Sequence, residues 1–457
     1  MRRSRWFLLV ALLAAFGLIA AACGDDDDSE AGNPPADGDD GADDGGDDGG
    51  DDGEGRFAGQ TVNILTPETA TEAESFLAGL QPFLDETGLE VNLNATRDAT
   101  TELNIALEAG DPPDVVIIPQ PGRTRTFCDE GSAIPVPQST QDTLAGQFDD
   151  AWWDLGSGSD GTRCGVPNKG DVKSLVWYNT GVFADNGYEI PETWDAMTTL
   201  TDQMIADGIT PWCIAMESGD ATGWHYTDWF EDFFLRLQGA DVYDQWVNHE
   251  IPFNDPAVAE VAQFVNDIWF QEGAVFGGTD QIATTQFRDA SIPLVAGDCA
   301  MVKQASFYAA PISENGGVVG ADGTVNAFYL PTITDEFGTV VLGAGTHAVA
   351  FTDNDVSHAV VEYLGGAEHA NGRVASGFGG YLSPNTGHDT SLYENDLEKL
   401  FAEILVSASP FRFDGSDLMP GEIGAGAFWR EPTDYVSGAI TLEEMLDNVE
   451  EEWNALG

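Results

Sequence analysis

The sequence predicts an α/β fold with a parallel sheet, because strand-like and helix-like segments alternate in its first globular stretch. Apolar runs at 61–65, 89–93 and 114–118 indicate short buried strands. Between them, apolar residues at helical spacing predict two helices, which we expect to end at Gly88 and Gly110. Two parallel strands joined through a helix in this way imply a right-handed crossover connection. A chain of 457 residues is also long enough for two or three lobes.

Two later helices have clear start signals, so the rest of the chain is also mixed α/β. Asp255 is a predicted N-cap with Pro256 in the first turn, and we expect this helix to end at Gly273. Thr441 and Glu444 have the spacing of a capping box before a C-terminal apolar stripe.

The first 22 residues predict export through a secretory signal peptide. Three arginines precede the 17-residue apolar run 6–22, which is shorter than the roughly 20 residues of a membrane-spanning helix. The alternative is an uncleaved membrane anchor. The run ends in Ala20-Ala21-Ala22-Cys23, which resembles the lipobox of bacterial lipoproteins. This resemblance implies that Cys23 is lipidated and holds the protein at the outer face of the cytoplasmic membrane.

Residues 23–55 predict a disordered acidic tether. Of the 79 acidic residues, 15 lie within 24–55, a segment with almost no apolar side chains. The alternative is that its Asp-Gly runs bind cations. A formal net charge of −62 argues against a nucleic-acid partner, because phosphates would be repelled. The many acidic residues outside the tether suggest a salty environment.

Four cysteines remain besides Cys23, and an even number in an exported protein predicts disulfides. They are Cys128, Cys164, Cys213 and Cys299, which allow three pairings. A zinc site is the alternative, but the sequence has no CxxC motif and no nearby histidine pair. We therefore predict no metal and no cofactor.

An ordered series of motifs resembles the family 1 extracellular solute-binding proteins, the group that contains maltose-binding protein. The motifs are GDPPDV at 110–115, DVKSLVWYN at 171–179, GDCAM at 297–301 and GGYLSPN at 379–385. The resemblance extends from about Gly59 to the C-terminus. It implies a type II periplasmic-binding-protein-like fold, in which two α/β lobes are joined by a hinge that the chain crosses several times.

This resemblance also implies lobe boundaries and a disulfide pattern. Lobe one would comprise 56–170 and 329–378, and lobe two 171–328 and 379–457. The pairs Cys128–Cys164 and Cys213–Cys299 would then each lie within one lobe, where a bridge does not hinder hinge motion.

Further motifs resemble the α-glucoside-binding proteins of bacterial ABC importers. They are TPWCIAMESG at 210–219, ATGW at 221–224, TDW at 227–229, VYDQWVNHEIPF at 242–253 and FRFDGSDLMP at 411–420. The resemblance implies a monomer that captures an α-glucoside of the maltose, trehalose or sucrose type and delivers it to an ABC permease. One alternative is a binding protein for another oligosaccharide or a polyol.

A secreted glycoside hydrolase is the second alternative. Such an enzyme needs two carboxyl groups about 5–10 Å apart. Glu217 and Asp228 are possible members of such a pair, but nothing in the sequence indicates that either carboxyl group has a pKa shifted for catalysis. The GxSxG, HExxH and P-loop patterns are also missing from the sequence. We therefore predict that the protein is not an enzyme.

A sugar needs aromatic rings for its C–H faces and polar side chains for its hydroxyl groups. From lobe one and the hinge, the candidates are Glu68, Arg97, Asp98, Gln120, Lys169, Asp171 and Lys173. From lobe two, the resemblance implies Glu217, Trp224, Asp228, Phe307, Gly380, Tyr381 and Trp429.

Each group of candidates has a structural alternative. Glu68 and Arg97 could be ordinary solvated loop charges. Lys169 and Asp171 could form an ion pair without a ligand role. We expect Trp224 to serve as a stacking platform, whereas core packing is favoured for the other tryptophans of lobe two, Trp212, Trp229 and Trp246.

Overall fold

The computed structural model describes residues 55–408 and 410–456. The predicted signal peptide, the lipidation site Cys23 and the acidic tether up to residue 54 lie outside the described residues. The described residues belong to one compact unit. Within the described part of the chain, no helix is both long enough and apolar enough to span a membrane.

Nine strands form two sheets in the described residues. They are β1 (Thr61–Thr66), β2 (Glu90–Ala95), β3 (Val115–Ile118), β4 (Gly165–Val172), β5 (Leu175–Asn179), β6 (Met301–Lys303), β7 (Val325–Tyr329), β8 (Val341–Ala350) and β9 (Phe411–Phe413).

In the same part of the chain, eighteen α-helices surround these sheets. They are α1 (Thr71–Thr87), α2 (Ala99–Ala109), α3 (Pro121–Asp129), α4 (Gln138–Thr143), α5 (Asp150–Leu155), α6 (Thr180–Asn186), α7 (Trp194–Asp207), α8 (Trp224–Leu237), α9 (Ala240–Val247), α10 (Pro256–Trp269), α11 (Ser291–Ala296), α12 (Ala309–Glu314), α13 (Asp355–Gly365), α14 (Ala367–Ala375), α15 (Asp396–Ser407), α16 (Gly415–Leu418), α17 (Phe428–Val436) and α18 (Leu442–Leu456).

The large sheet has the strand order β2-β1-β3-β8-β4, with β9 paired to β8. The parallel pairing predicted for the first three strands is confirmed, because β1 runs parallel to both β2 and β3. The sheet as a whole is mixed, since β8 is antiparallel to β3 and β4. All ten residues of β8 are buried, so this strand forms the centre of the sheet although it comes late in the chain.

The small sheet has the order β6-β5-β7, and both of its strand pairs are antiparallel. The chain passes from β4 of the large sheet to β5 of the small sheet after only two residues. It returns from β7 to β8, and the helices between β8 and β9 stay with the large sheet, because α13 packs on β4 and β8, α14 on α1 and α15 on β4. These crossings agree with a two-lobe α/β fold, while the residue boundaries of the lobes stay a prediction.

The hydrophobic core that packs against the small sheet is rich in aromatic rings. Trp212, Trp229 and Trp246 are buried in it, so the core role expected for these tryptophans is confirmed. The rings of Trp212 and Trp229 meet edge to face with centroids 5.2 Å apart, the geometry that aromatic pairs prefer.

The predicted start of α10 is confirmed, but its predicted end is wrong. The Asp255 side chain accepts a hydrogen bond of 2.9 Å from the backbone N–H of Ala257. The helix ends at Trp269, with Phe270 as its C-cap, rather than at Gly273. The Phe270 N–H makes the last helical bond, to the oxygen of Asn266, and Gly273 lies at φ +78° in the separate turn that follows, where the Ala274 N–H donates to the oxygen of Gln271.

The capping box before α18 is confirmed. The backbone N–H of Glu444 donates to the Thr441 hydroxyl at 3.2 Å, and the Thr441 N–H donates to the Glu444 carboxylate at 2.8 Å. The apolar stripe that follows buries Met445, Leu446 and Val449.

Both expected disulfides are present. Cys128 pairs with Cys164 and Cys213 with Cys299, with Cα–Cα distances of 5.9 and 5.8 Å, as usual for disulfides. The bonds use all four cysteines of the described residues, so these thiols are not zinc ligands.

Candidate ligand-binding site

A cavity lies where the loops that follow β1, β2 and β3 face α8 and the segments around Phe287 and Ser416. The carboxyl ends of parallel strands are where α/β proteins commonly bind ligands, because the loops there converge. The cavity therefore lies at the carboxyl ends of the three parallel strands.

Nine predicted site residues line this cavity. They are Glu68, Arg97, Gln120, Lys169, Asp171, Lys173, Trp224, Phe307 and Trp429. Glu68 is only 3% exposed, so the alternative that it is a solvated loop charge is wrong.

Asp98 and Glu217 do not line the cavity, because each is engaged in a loop contact. The Asp98 carboxylate accepts a hydrogen bond of 3.3 Å from the backbone N–H of Asp220. The Glu217 carboxylate accepts one of 2.8 Å from the N–H of Gly219. The cavity wall at this point is formed by their neighbours Ser218 and Asp220.

Asp228, Gly380 and Tyr381 lie behind the lining. Asp228 accepts a hydrogen bond of 2.6 Å from Lys173 Nζ and supports that lysine. A Cβ at Gly380 would come within 2.6 Å of the backbone oxygen of Phe307, so glycine permits close packing against the chain rather than against a ligand. The Tyr381 hydroxyl donates to the backbone oxygen of Asn168 at 2.9 Å.

Lys169 is the centre of a buried charge cluster in the cavity wall. Its Nζ lies 3.4 Å from Glu72, 3.5 Å from Asp171 and 3.7 Å from Glu68. The ion pair considered for Lys169 and Asp171 thus exists, and both residues still line the cavity. One lysine is shared by three carboxylates in this cluster, so the pKa values of the carboxylates differ from one another.

Burial raises the pKa of Glu72, but Lys169, Arg97 and Arg288 more than compensate and lower it to about 2. Burial also raises the pKa of Asp171, and here Lys169 compensates only in part, so the value rises to about 6. The neighbouring charge of Glu72 adds to this rise. Glu72 is therefore ionised at neutral pH, whereas the carboxyl group of Asp171 gains or loses its proton at a pH close to neutral.

Lys173 holds a second cluster, bonded to the carboxylates of both Asp228 and Asp414. Burial, the largest effect, raises the pKa of Asp228 to about 7 against the opposing influence of Lys173. Asp414 also lines the cavity and accepts hydrogen bonds from Ser416 and the N–H of Asp417. Each cavity lysine is therefore already neutralised by protein carboxylates.

Three of the aromatic rings that line the cavity, those of Trp224, Phe287 and Phe307, lie close together. Trp224 lies 5.0 Å from Phe287 and 6.0 Å from Phe307 between ring centroids. Gly223 precedes Trp224 at φ +117°, and a Cβ there would overlap the carbonyl oxygen of Trp429. This glycine lets the start of α8 approach the chain at Trp429, which brings the two tryptophans to the same cavity.

Trp429 supplies an unused hydrogen-bond donor. Its ring is 5% exposed, it lines the cavity, and its Nε1 is buried without a hydrogen-bond partner among the described residues. A buried donor without a partner is costly, so this N–H is suited to a ligand oxygen.

Sequence reasoning missed several lining residues: Glu72, Arg123, Phe287, Asp414 and Asp417. Asp414 and Asp417 lie in the motif 411–420, so assigning ligand roles to its carboxylates would have found them. No local pattern distinguishes Phe287, which reaches the cavity through the fold.

These features define a class of protein. Two α/β lobes enclose a concave site that offers buried charges and aromatic rings, as expected of a protein that binds a polar molecule in the cleft between its lobes. The comparison with known families agrees: residues 67–368 match the model of the bacterial extracellular solute-binding proteins, and the chain belongs to this family. The extracellular character of the family supports the predicted export.

Two relatives match nearly the whole chain. The osmoprotective compounds-binding protein GgtB of Synechocystis sp. is 38% identical over 395 residues, which cover 86% of this chain and 92% of the relative. The alpha-glucosides-binding periplasmic protein AglE of Rhizobium meliloti is 38% identical over 410 residues, which cover 87% and 88%. The family and its proximity to the α-glucoside binders, both predicted from the motifs, are therefore confirmed.

Solved structures of the same fold include the bacterial solute receptor AcbH, which prefers β-D-galactopyranose. It superposes with a TM-score of 0.75 at 20% sequence identity and covers 87% of this chain and 99% of its own. At this identity the similarity establishes the fold, and it confirms the predicted type II two-lobe architecture.

Proposed function

We propose that this protein captures an α-glucoside between its two lobes and delivers it to the permease of an ABC importer. The observation that carries the proposal is the combination of Trp224, Phe307 and Trp429 with polar side chains in one cavity. Aromatic rings suit the C–H faces of a pyranose, and the unpartnered Trp429 Nε1 suits a hydroxyl oxygen.

The charges of the cavity favour a neutral ligand. Lys169 has three carboxylates within 3.7 Å, and Lys173 binds two more. Neither lysine is free to neutralise an anion without breaking a buried ion pair, which costs several kcal/mol, roughly 3–5. Neutral hydroxyl groups can bond to these groups while leaving the ion pairs intact, so a sugar is favoured over a phosphate or a carboxylate ligand.

Binding and closure, without catalysis, are the proposed mechanism. A ligand that touches both lobes favours the closed form over the open one, and the permease recognises the loaded, closed protein. We further propose that the protein acts as a monomer and that Cys23 carries the lipid anchor. The mass of the mature protein tests the anchor, since a species beginning at unmodified Cys23 would contradict it.

Calorimetry of the full-length protein with maltose, trehalose, sucrose and longer maltodextrins tests the ligand class. We expect at least one α-glucoside to bind and to be recovered unhydrolysed. Hydrolysis of any of these sugars would instead support the alternative that the protein is a glycoside hydrolase. Failure of all of them to bind would refute the α-glucoside proposal.

Substitution Trp224→Ala tests the site itself. We expect affinity for the bound sugar to fall by at least about tenfold, since stacking and the neighbouring aromatic contacts are lost together. Lys399→Ala is the control, because Lys399 is exposed and its ion pair with Asp396 lies on the surface of α15. Equal affinity of the Trp224 variant and the control would remove Trp224 from the site.

A polyol or another osmoprotective compound is the second candidate ligand. Its support is the 38% identity to GgtB, which extends over 92% of that relative. Glycerol, mannitol and other oligosaccharides in the same calorimetric series separate the candidates, because binding of a polyol without binding of any glucoside would favour this second assignment.

A further inference from the structure

We propose that Thr71, Glu72, Arg288 and Glu314 form an interlobe latch that sets ligand affinity by stabilising the closed form, without Arg288 or Glu314 touching the ligand. The role in ligand binding rests on the proposed function. The latch itself is a property of the protein alone and can be tested without a ligand.

The latch joins elements of the two sheets. Thr71 and Glu72 begin α1, the crossover helix between β1 and β2 of the large sheet. Arg288 immediately precedes α11, which packs on β5 and β6 of the small sheet. Glu314 ends α12, which packs on both α11 and α1.

The contacts are numerous for so few residues. Arg288 donates from Nη1 to Glu72 Oε2 at 2.8 Å and from Nη2 to both Glu314 oxygens at 2.7 and 2.8 Å. The backbone N–H of Thr71 donates to Glu314 Oε1 at 3.0 Å, and its hydroxyl donates to the same oxygen. Two independent connections, Arg288 to Glu72 and Thr71 to Glu314, thus cross between the elements of the two sheets.

Burial makes these contacts stronger than ordinary surface ion pairs. The side chains of Glu72, Arg288 and Glu314 are 7%, 11% and 21% exposed. In such surroundings charges are screened less by water and salt than at the surface, and charge-assisted hydrogen bonds are the stronger kind. Burial raises the pKa of Glu314, but the bonds from Thr71 and Arg288 outweigh it and lower the pKa below its usual value.

The latch can open without leaving an isolated buried charge. Arg288 and Glu314 bond to each other and would separate from α1 as a pair. Glu72 would keep Arg97 at 2.9 Å and Lys169 at 3.4 Å. Because an unpaired buried charge is what makes breaking such contacts prohibitive, this arrangement suits a reversible connection rather than a permanent one.

The link to affinity follows from the population of the closed form. The apparent dissociation constant equals the intrinsic constant divided by the fraction of protein in the binding-competent form. Arg288 and Glu314 do not line the cavity, whereas Glu72 does, so removing Arg288 lowers the closed fraction without deleting a lining side chain. Affinity should therefore fall mainly through faster ligand release.

The test compares Arg288→Ala, Arg288→Lys and Glu314→Gln with the wild-type protein. Arg430→Ala is the matched control, since Arg430 contacts Glu431 at 3.0 Å and also Glu452, both within α17 and α18, and does not line the cavity. Circular dichroism verifies folding, small-angle scattering reports the shape without ligand, and tryptophan fluorescence with calorimetry reports release rate and affinity for the bound sugar.

We expect Arg288→Ala to enlarge the ligand-free radius of gyration and to weaken binding by roughly tenfold, a typical coupling between sites. Arg288→Lys and Glu314→Gln should give smaller losses, and Arg430→Ala none. Should Arg288→Ala fail to fold, Glu314→Gln alone decides, because it keeps the size of the side chain.

Two results are distinguishable. Wild-type shape and wild-type release rate in a folded Arg288→Ala protein that still binds sugar would overturn the latch and leave the proposed function intact. A larger shape in that variant, with no glucoside bound by the wild type, would support the latch and refute the function.

Discussion

Asp171 lies in the cavity wall with a carboxyl group that its surroundings hold partly protonated, so Asp171→Asn should change how stability depends on pH. Burial raises the pKa of this carboxyl from 3.8 to about 6, despite the nearby Lys169. A raised carboxyl pKa means that the folded state binds the proton more tightly than the unfolded state. Folding is therefore favoured by protonation, and stability is lost as the pH rises from about 4 to about 6.

The magnitude follows from the size of the shift. A change of one pKa unit corresponds to about 1.4 kcal/mol, so a shift of about two units amounts to roughly 3 kcal/mol. Asp171 is 5% exposed, and solvent screening should reduce this value little. Asparagine has the same shape and no charge, and Lys169 keeps Glu68 and Glu72 as partners.

Urea unfolding of both proteins at pH 4 and pH 7, followed by tryptophan fluorescence, measures the effect. The free energy of unfolding of the wild type minus that of Asp171→Asn should fall by about 2 kcal/mol between these pH values, because the unfolded-state carboxyl is already more than half ionised at pH 4. The difference removes the contributions of titrating groups that do not interact with Asp171. A difference that stays constant with pH, or that rises, would refute this account of the buried cluster.

Two further substitutions test the charge cluster around Lys169 and the Cys213–Cys299 disulfide. Glu72→Gln should act with the opposite sign to Asp171→Asn, because the pKa of Glu72 is lowered from 4.5 to about 2. In the same unfolding series, this variant should be about 3 kcal/mol less stable than the wild type above pH 4.5, and the deficit should disappear as the pH falls through about 2. Replacing Cys213 and Cys299 by serine together should cost about 4 kcal/mol in urea unfolding, since that bridge closes a loop with a sequence separation of 86 residues; unchanged stability under non-reducing conditions would contradict it.

The parts of the fold that were predicted correctly depend on local chemistry. The three parallel strands and the starts of α10 and α18 follow from apolar periodicity and from side chains that bond to backbone groups two or three residues away. The family motifs added the two-lobe architecture and the disulfide pairs. These signals lie within short stretches of the chain, so a sequence contains them directly.

The errors concern contacts between distant segments. The antiparallel insertion of β8 between β3 and β4 joins segments separated by more than a hundred residues, which no local pattern encodes. Asp228 was predicted as a ligand contact, yet it supports Lys173 from behind the cavity.

The sequence by itself determined an exported α/β protein of the solute-binding family and the residue types of its site: aromatic rings with lysines and carboxylates near strand ends. Only the tertiary structure decided which of those side chains face the cavity and which neutralise one another. Lys173 meets Asp228 and Asp414 across separations of 55 and 241 residues. Such pairings depend on how the lobes fold and approach each other, because burial and charge act through space rather than along the chain.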